Sequence, residues 1–315
     1  MSGSEALSCT VITARLGGFA GSHRVHPGML EIASRLLKKE EGGLIIDSFV
    51  LRCGDAMAFL LTHRTVEGIQ DLNCRILDEC REYLRKKKIA LPLSNPQFSS
   101  CSISFPEREK EDIIVFLSDL PTMDLYNLHL YRIFGDPFST TRLVTDENLR
   151  DGFELSVETR GVVSIFSLPE DAYRLLSSIR RSDESRVVFV SRRDGEAAAA
   201  VSMPQDVGAP ALLIRAGGIF PTLGEIAEPF SVPYMVRSIY GERPMMPIIP
   251  VSLCDAQGSR SGGPPRIICL GFSIANGRLI GPADIFDDPA LDPVRRAGSE
   301  MSGYARAHGP FDPFL

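Results

Sequence analysis

What this sequence lacks narrows its chemistry first. Its seven cysteines (Cys9, Cys53, Cys74, Cys80, Cys101, Cys254, Cys269) include no Cys-x-x-Cys pair, and several sit in apolar runs, as reduced core thiols do. An odd count without a signal peptide is the pattern of a reducing cytoplasm, so a cytoplasmic location is expected. Basic segments are scarce: the net charge is −6 and the one short run is Arg85-Lys-Lys-Lys88. A nucleic-acid footprint needs a wider patch, so no nucleic-acid partner is expected. No apolar run is long enough to cross a bilayer, so no membrane association is expected either. There is no G-x-x-x-x-G-K-S/T loop and no G-x-S-x-G elbow, and Gly208-Ala-Pro210 is not a dinucleotide loop.

What is present is a chain of 315 residues, 44% of them hydrophobic, enough for a large core. It is organised around its first strand and turn. Thr10 to Thr13 is β-rich, and then come Gly17, Gly18 and Gly21, with His23 and His26 just before Pro27. Glycines allow a close backbone approach to a ligand, and Pro suits the first turn of a helix. Strand, open turn and helix therefore follow one another, with polar side chains at the strand exit, where α/β proteins bind small molecules. The histidines could equally cap or pack.

Helical spacing continues through Met29, Ile32, Ala33, Leu36 and Leu37, until Gly42-Gly43. Leu44 to Cys53 and Ala56 to Leu61 predict a hairpin broken at Gly54-Asp55. Val66 to Leu84 predicts an amphipathic helix, with Lys86-Lys-Lys88 suited to its C-terminal dipole. Pro92 to Glu111 has the composition of an irregular connection. Ile113 to Leu117 predicts a buried strand ending at Ser118-Asp119, and Tyr126 to Phe134 a short helix. Further strands are expected at 153–157, 162–166, 187–191, 197–203, 211–214 and 267–272, with helices at 169–179 and 292–307. Phe220 to Pro265 shows little regular pattern, the mark of a functional or oligomer-contact stretch. No repeat and no linker divides the chain, so one domain spanning residues 1–315 is the simplest reading.

Four acidic or imidazole side chains fall at strand ends or in glycine turns: His23, His26, Asp55 and Asp119. Two carboxylates and a histidine around one cleft could hold a divalent ion or act as acid and base. Their spacing matches no short metal motif. Asp284, Asp287 and Asp288 beside Pro289 have the character of a solvated turn and helix cap.

Several stretches together resemble the archaeal-type fructose-1,6-bisphosphate aldolase/phosphatase family. They are Gly21-Ser-His-Arg-Val-His-Pro27, Cys53-Gly-Asp55 with Leu61-Thr-His63, and Tyr126-Asn-Leu-His-Leu-Tyr131 with Asp136-Pro-Phe138. Gly263-Pro-Pro-Arg-Ile-Ile-Cys-Leu-Gly-Phe272, Asn276 through Pro289, and His308-Gly-Pro-Phe311 complete the set, in order, from about residue 10 to 312. The resemblance implies an α/β fold, a single large domain built as a layered α-β-β-α sandwich, and a homo-oligomer. It also implies Mg²⁺-assisted phosphate hydrolysis and a Schiff-base lysine. Carried over by position, the family's first metal aspartate falls on Arg15 and its metal histidine on Ser22. One carboxylate of its Gly-Asp-Asp survives as Asp55, with Ala56 after it, and a glutamine ligand falls near Ser94. Asp119 matches, but the phosphate-binding lysine after it falls on Leu120. The imine-forming Lys-Asp-Asp-Pro falls on Val207-Gly-Ala-Pro210, a substrate aspartate falls on Gly262, and the family's C-terminal tail is not matched after Leu315.

Mg²⁺ needs hard oxygen ligands and charge neutralisation. Asp55 and Asp119 beside the cation Arg15 do not supply them, so no metal and no cofactor is expected, and Val207 cannot form an imine. The leading expectation is therefore a repurposed, metal-independent enzyme. It would run acid/base chemistry of a condensing or lyase type on a small carbonyl or amino-acid-like substrate. Asp55 or Asp119 would be the base and His23 the proton relay; Arg15, Ser22, His26 and Tyr126 would bind substrate. The alternatives are a non-catalytic paralogue used for binding or assembly, and a residual fructose-1,6-bisphosphatase.

Overall fold

Period-two alternation in the first strand separates two cores. The computed structural model describes residues 6–17, 24–89, 98–107, 110–120, 122, 124–181, 185–203, 208–236, 245–259 and 263–308. In β1 (Ala6–Ala14), Leu7, Cys9 and Val11 point into the space between two sheets, while Ile12 and Ala14 point the other way, under helices. The chain continues through α1 (Pro27–Glu40), β2 (Asp47–Cys53), β3 (Ala56–His63), α2 (Ile69–Lys86) and β4 (Ser99–Pro106). Four of these strands make an antiparallel sheet in the order β2-β3-β1-β4. Its outer face is covered by Met29, Ala33 and Leu37 of α1 and by Leu72, Ile76, Cys80 and Leu84 of α2.

The second sheet begins with β5 (Glu111–Ser118). After α3 (Asn127–Gly135) and the short α4 (Arg142–Thr145) and α5 (Glu147–Arg150) come β6 (Phe153–Thr159), β7 (Val162–Ser167) and α6 (Ala172–Arg181). Then follow β8 (Ser185–Arg192), β9 (Ala197–Ser202), β10 (Ala211–Ala216) and α7 (Leu223–Ala227). The two-residue strands β11 (Met235–Val236), β12 (Met246–Pro247) and β13 (Ile249–Pro250) lead to β14 (Arg266–Ala275), β15 (Arg278–Asp284) and α8 (Asp292–His308). Nine strands form one sheet, in the order β13-β14-β5-β10-β9-β8-β6-β7 with β15 on β14. Ile113, Val115 and Leu117 meet the first sheet; Ile114 and Phe116 meet Leu130 and Phe134 of α3, Leu175 of α6 and Val294 of α8. The layers are therefore α-β-β-α around one shared sheet-to-sheet interior.

Most expected elements are present with ends shifted by a few residues. The 92–111 stretch differs: its part at 99–106 is β4, paired along β1. Its inward residues are Cys101, Ile103 and Phe105, and its outward ones are serines, so polar composition concealed a regular alternation. A second strand, β15, follows the Asn276-Gly277 turn. The 220–265 stretch contains α7 and the short strands β11 to β13 among its described residues.

Candidate functional site at the strand exits

The end of β1, the β2–β3 turn, the end of β5 and the approach to β14 converge at one edge of the sandwich. Arg15 follows β1 directly, Asp55 sits in the hairpin turn, and Asp119 is the first residue after β5. The two sheets pinch together here. A Cβ on Gly54 would lie 2.7 Å from the Cβ of Asp119, and Gly54 has φ of +60°, so this position requires glycine. Its N–H donates to Ala256 O at 3.1 Å, tying the hairpin to the loop ahead of β14.

Arg15 bridges the sheets. Its Nε donates to Asp55 Oδ1 at 2.7 Å and its Nη2 to the main-chain oxygen of Asp119, also at 2.7 Å. The Arg15 side chain is 14% exposed and that of Asp55 34%. Asp119 points inward. Its Oδ1 accepts the Arg266 N–H at 2.8 Å and its Oδ2 the Ser259 N–H at 2.5 Å. Burial pushes its carboxyl pKa up, opposed by those hydrogen bonds. Asp119 thus clasps the 255–266 loop onto β5, while Asp55 keeps one edge toward solvent. Two further arginines stand on that loop: Arg24 donates to Gln257, and the Arg266 guanidinium donates to Asp255 O at 3.2 Å and Gln257 O at 3.5 Å.

The other expected site residues have different places. His26 caps α1, its Nδ1 accepting from Gly28 N at 3.1 Å beside the Tyr83 hydroxyl at 3.3 Å. Tyr126 is buried and donates to Pro210 O at 3.2 Å, fixing the entry to β10. Ser22 and His23, like Ser94 and Val207, lie outside the described residues. Residue-level reasoning did not single out Ser259 or Gln257, and it quoted Arg266 only as the last residue of the Gly263-Pro-Pro-Arg stretch of the resemblance, without a role. A separate cavity of about 470 Å³, lined by Arg150, Asp151, Pro169, Glu170 and Arg192–Asp194, lies at the opposite end of the nine-stranded sheet. It touches none of the residues that meet at Arg15.

A magnesium cluster does not fit the described donors. No group of three or more His, Cys, Asp or Glu suited to a metal occurs among them. Asp119 spends both oxygens on main-chain N–H groups, and a guanidinium already faces Asp55. Among the described residues no helix is long and apolar enough to cross a membrane.

A layered α/β protein with a charged cluster where strands of two facing sheets end is the class these features define. Residues 6–89 and 96–315 match the fructose-1,6-bisphosphatase family, and the chain belongs to it. Curated relatives include a protein of Ignicoccus hospitalis, 35% identical over 98% of this chain and 87% of its own length. Others come from Moorella thermoacetica (33% identical; 98% and 88%) and Thermococcus onnurineus (33% identical; 98% and 92%). Each is named fructose-1,6-bisphosphate aldolase/phosphatase. These findings overturn the expected repurposed condensing or lyase enzyme. The relatives, alike over nearly their whole length, all carry that one name, and none is named as a metal-independent condensing enzyme.

Proposed function

We propose that this protein is a phosphatase acting on a bisphosphorylated sugar of the fructose-1,6-bisphosphate class. The observation that carries the reading is the identity, over nearly the whole chain, to relatives bearing that substrate in their names. The cleft supports it electrostatically. Arg15 beside Asp55 and Asp119, with Arg24 and Arg266 on the neighbouring loop, gives the cations that a phosphate would meet. Arg15 anchors a phosphate oxygen with the guanidinium edge that Asp55 and Asp119 leave unused. The solvent-facing oxygen of Asp55 takes a proton from the attacking water. Water adds to phosphorus, the bond from phosphorus to the sugar oxygen breaks, the departing oxygen takes a proton from solvent water, and Asp55 returns its proton to solvent. The products are inorganic phosphate and a sugar monophosphate.

The aldolase half of the relatives' name is not part of the proposal. All six lysines are described and none reaches Arg15. Lys38 and Lys39 end α1, Lys86, Lys87 and Lys88 end α2 on the outer layer, and Lys110 pairs with Asp112 at the far end of β5. An imine needs an amine in the cleft.

The test is phosphate release from fructose-1,6-bisphosphate across a Mg²⁺ titration, with borohydride trapping of dihydroxyacetone phosphate alongside. Phosphate is released, no covalent adduct forms, and Arg15→Ala lowers kcat/KM at least about tenfold. Absence of both hydrolysis and binding of any sugar bisphosphate would sink the reading; a trapped adduct would restore the aldolase half.

A further inference from the structure

We infer that the cavity at the far end of the nine-stranded sheet is a second ligand site, and that it takes a small sugar phosphate. Its volume of about 470 Å³ falls within the roughly 300–1,000 Å³ of small-molecule sites. It lies where β6 begins and where β7 and β8 end. The Arg15 cluster lies where β5 ends. The antiparallel register through β5, β10, β9, β8 and β6 puts these two places at opposite ends of the sheet.

The walls are held in place without a ligand. Gly152 has φ of +83°, and a Cβ there would run into Leu168 O, so only glycine lets the end of α5 close on the end of β7. Arg192 is 12% exposed and fixed from three sides: Nε donates to Asp194 Oδ2 at 3.0 Å, and Nη1 to Asn148 O at 2.9 Å and Ile219 O at 3.1 Å. Asp194 also accepts the Glu196 N–H at 3.0 Å. The β8–β9 turn is thereby tied to α5, and little ordering remains to be done on binding.

The charges of the cavity are matched unevenly, and the mismatch names the ligand. Arg192 pairs with Asp194, and Arg193 with Glu170. Arg150 and Asp151 adjoin on one wall and do not pair. Among the described residues Arg150 makes one long bond, from Nη2 to Val144 O at 3.4 Å, and the Asp151 carboxylate makes none. Arg193 gives Nη2 to Leu168 O at 3.0 Å and to Glu170, and its Nε and Nη1 have no acceptor among the described residues. Glu170 is 61% exposed, and a pair so open holds weakly, so a dianion displaces that carboxylate. Two guanidiniums with uncommitted N–H groups beside one uncommitted carboxylate suit a ligand with both a dianionic group and hydroxyl donors. A phosphate monoester accepts from Arg150 and Arg193, and sugar hydroxyls donate to Asp151. A nucleotide fits poorly, because Pro169 is the one apolar lining residue and no ring lines the cavity for a base to stack on.

The chain has no tryptophan, so Tyr173→Trp, at an 89% exposed position of α6 close to Glu170, places a local fluorescence reporter beside the cavity. Glucose 6-phosphate should change its emission saturably, with a dissociation constant at or below about 1 mM. Arg150→Gln and Arg193→Gln should each weaken that binding at least about tenfold. Asp151→Asn should erase the preference for glucose 6-phosphate over inorganic phosphate. Arg15→Ala should leave the binding unchanged, and Arg150→Gln should leave phosphate release from fructose-1,6-bisphosphate unchanged, so this site and the phosphatase reading stand or fall separately. Calorimetric titration of the Arg15→Ala protein repeats the measurement without the reporter. Absence of saturable binding by both methods up to about 10 mM overturns the inference. So does wild-type affinity in both Arg150→Gln and Arg193→Gln, or inorganic phosphate binding as tightly as glucose 6-phosphate.

Discussion

A single side chain can set how the fold responds to acid, and His129 does so. Its ring stacks on Phe230 at 4.2 Å and meets Tyr234 edge-on at 4.6 Å, while Nδ1–H donates to Leu125 O at 3.0 Å. Burial pushes its pKa down from 6.5 to about 3, with nearby Arg132 adding to the effect. The native imidazole stays neutral where an unfolded one takes up a proton. This contribution to stability is complete above pH 6.5 and is lost as pH falls toward 3, at about 1.4 kcal/mol for each unit of difference. Asp119 works in the other sense: its raised pKa costs stability as pH rises through the carboxylate range. Both proteins in a comparison of wild type with His129→Phe keep Asp119, so the difference in slope isolates the imidazole. Urea midpoints should fall for wild type between pH 6.5 and 4.5 and stay flatter for the variant. Equal slopes would mean that His129 is protonated in the folded state.

At the scale of elements, α1 shows how a sequence feature changes meaning on folding. His26 stood out because it follows a glycine-rich strand exit. The structure uses its Nδ1 as the cap that satisfies Gly28 N–H, against Tyr83 of α2. His26→Asn, which keeps a capping acceptor, should preserve both melting temperature and phosphate release. His26→Ala should cost about 1 kcal/mol. A large loss of turnover in a folded His26→Asn protein would put the imidazole in the reaction instead. The same contrast explains what the sequence could tell. Helical spacing made α1 and α2 legible, because each buries one apolar stripe. Short apolar runs bounded by polar or glycine breaks made β2, β3 and β5 legible. β4 was hidden because its outer positions are serines that bond to Ser8 and Thr10 rather than to helices. At the cleft, Arg15, Asp55 and Asp119 were readable from their places at strand ends. The hold of Ser259 and Arg266 on Asp119 was not, because it runs through main-chain N–H groups, which every residue but proline owns.

Across the whole molecule, an arginine joins the two sheets at each end of the sandwich, and the two ends differ in access. At the cleft, Arg15 bridges the hairpin of one sheet to β5 of the other and stays partly open. At the far end, Arg215 of β10 is fully buried. Its Nε donates to Glu111 at 2.8 Å and its Nη1 to Glu196 at 3.1 Å and Ala197 O at 3.0 Å. Its guanidinium lies between the rings of Phe105, from the smaller sheet, and Phe220, at 4.9 and 4.2 Å. Removing one member of such a cluster leaves a buried charge without its partner, so Arg215→Ala should cost about 3–5 kcal/mol. Arg215→Met combined with Glu111→Leu removes the two buried charges, leaves the partly exposed Glu196, and should recover at least half of that loss. An eight-residue strand spans about 25 Å, so neither protein should change phosphate release per folded molecule. Urea unfolding of the three proteins decides the matter. A cost below about 1 kcal/mol for Arg215→Ala would show that packing of the rings, not charge pairing, holds this end closed. The cleft would then be the only end of the sandwich at which an arginine's charge is essential.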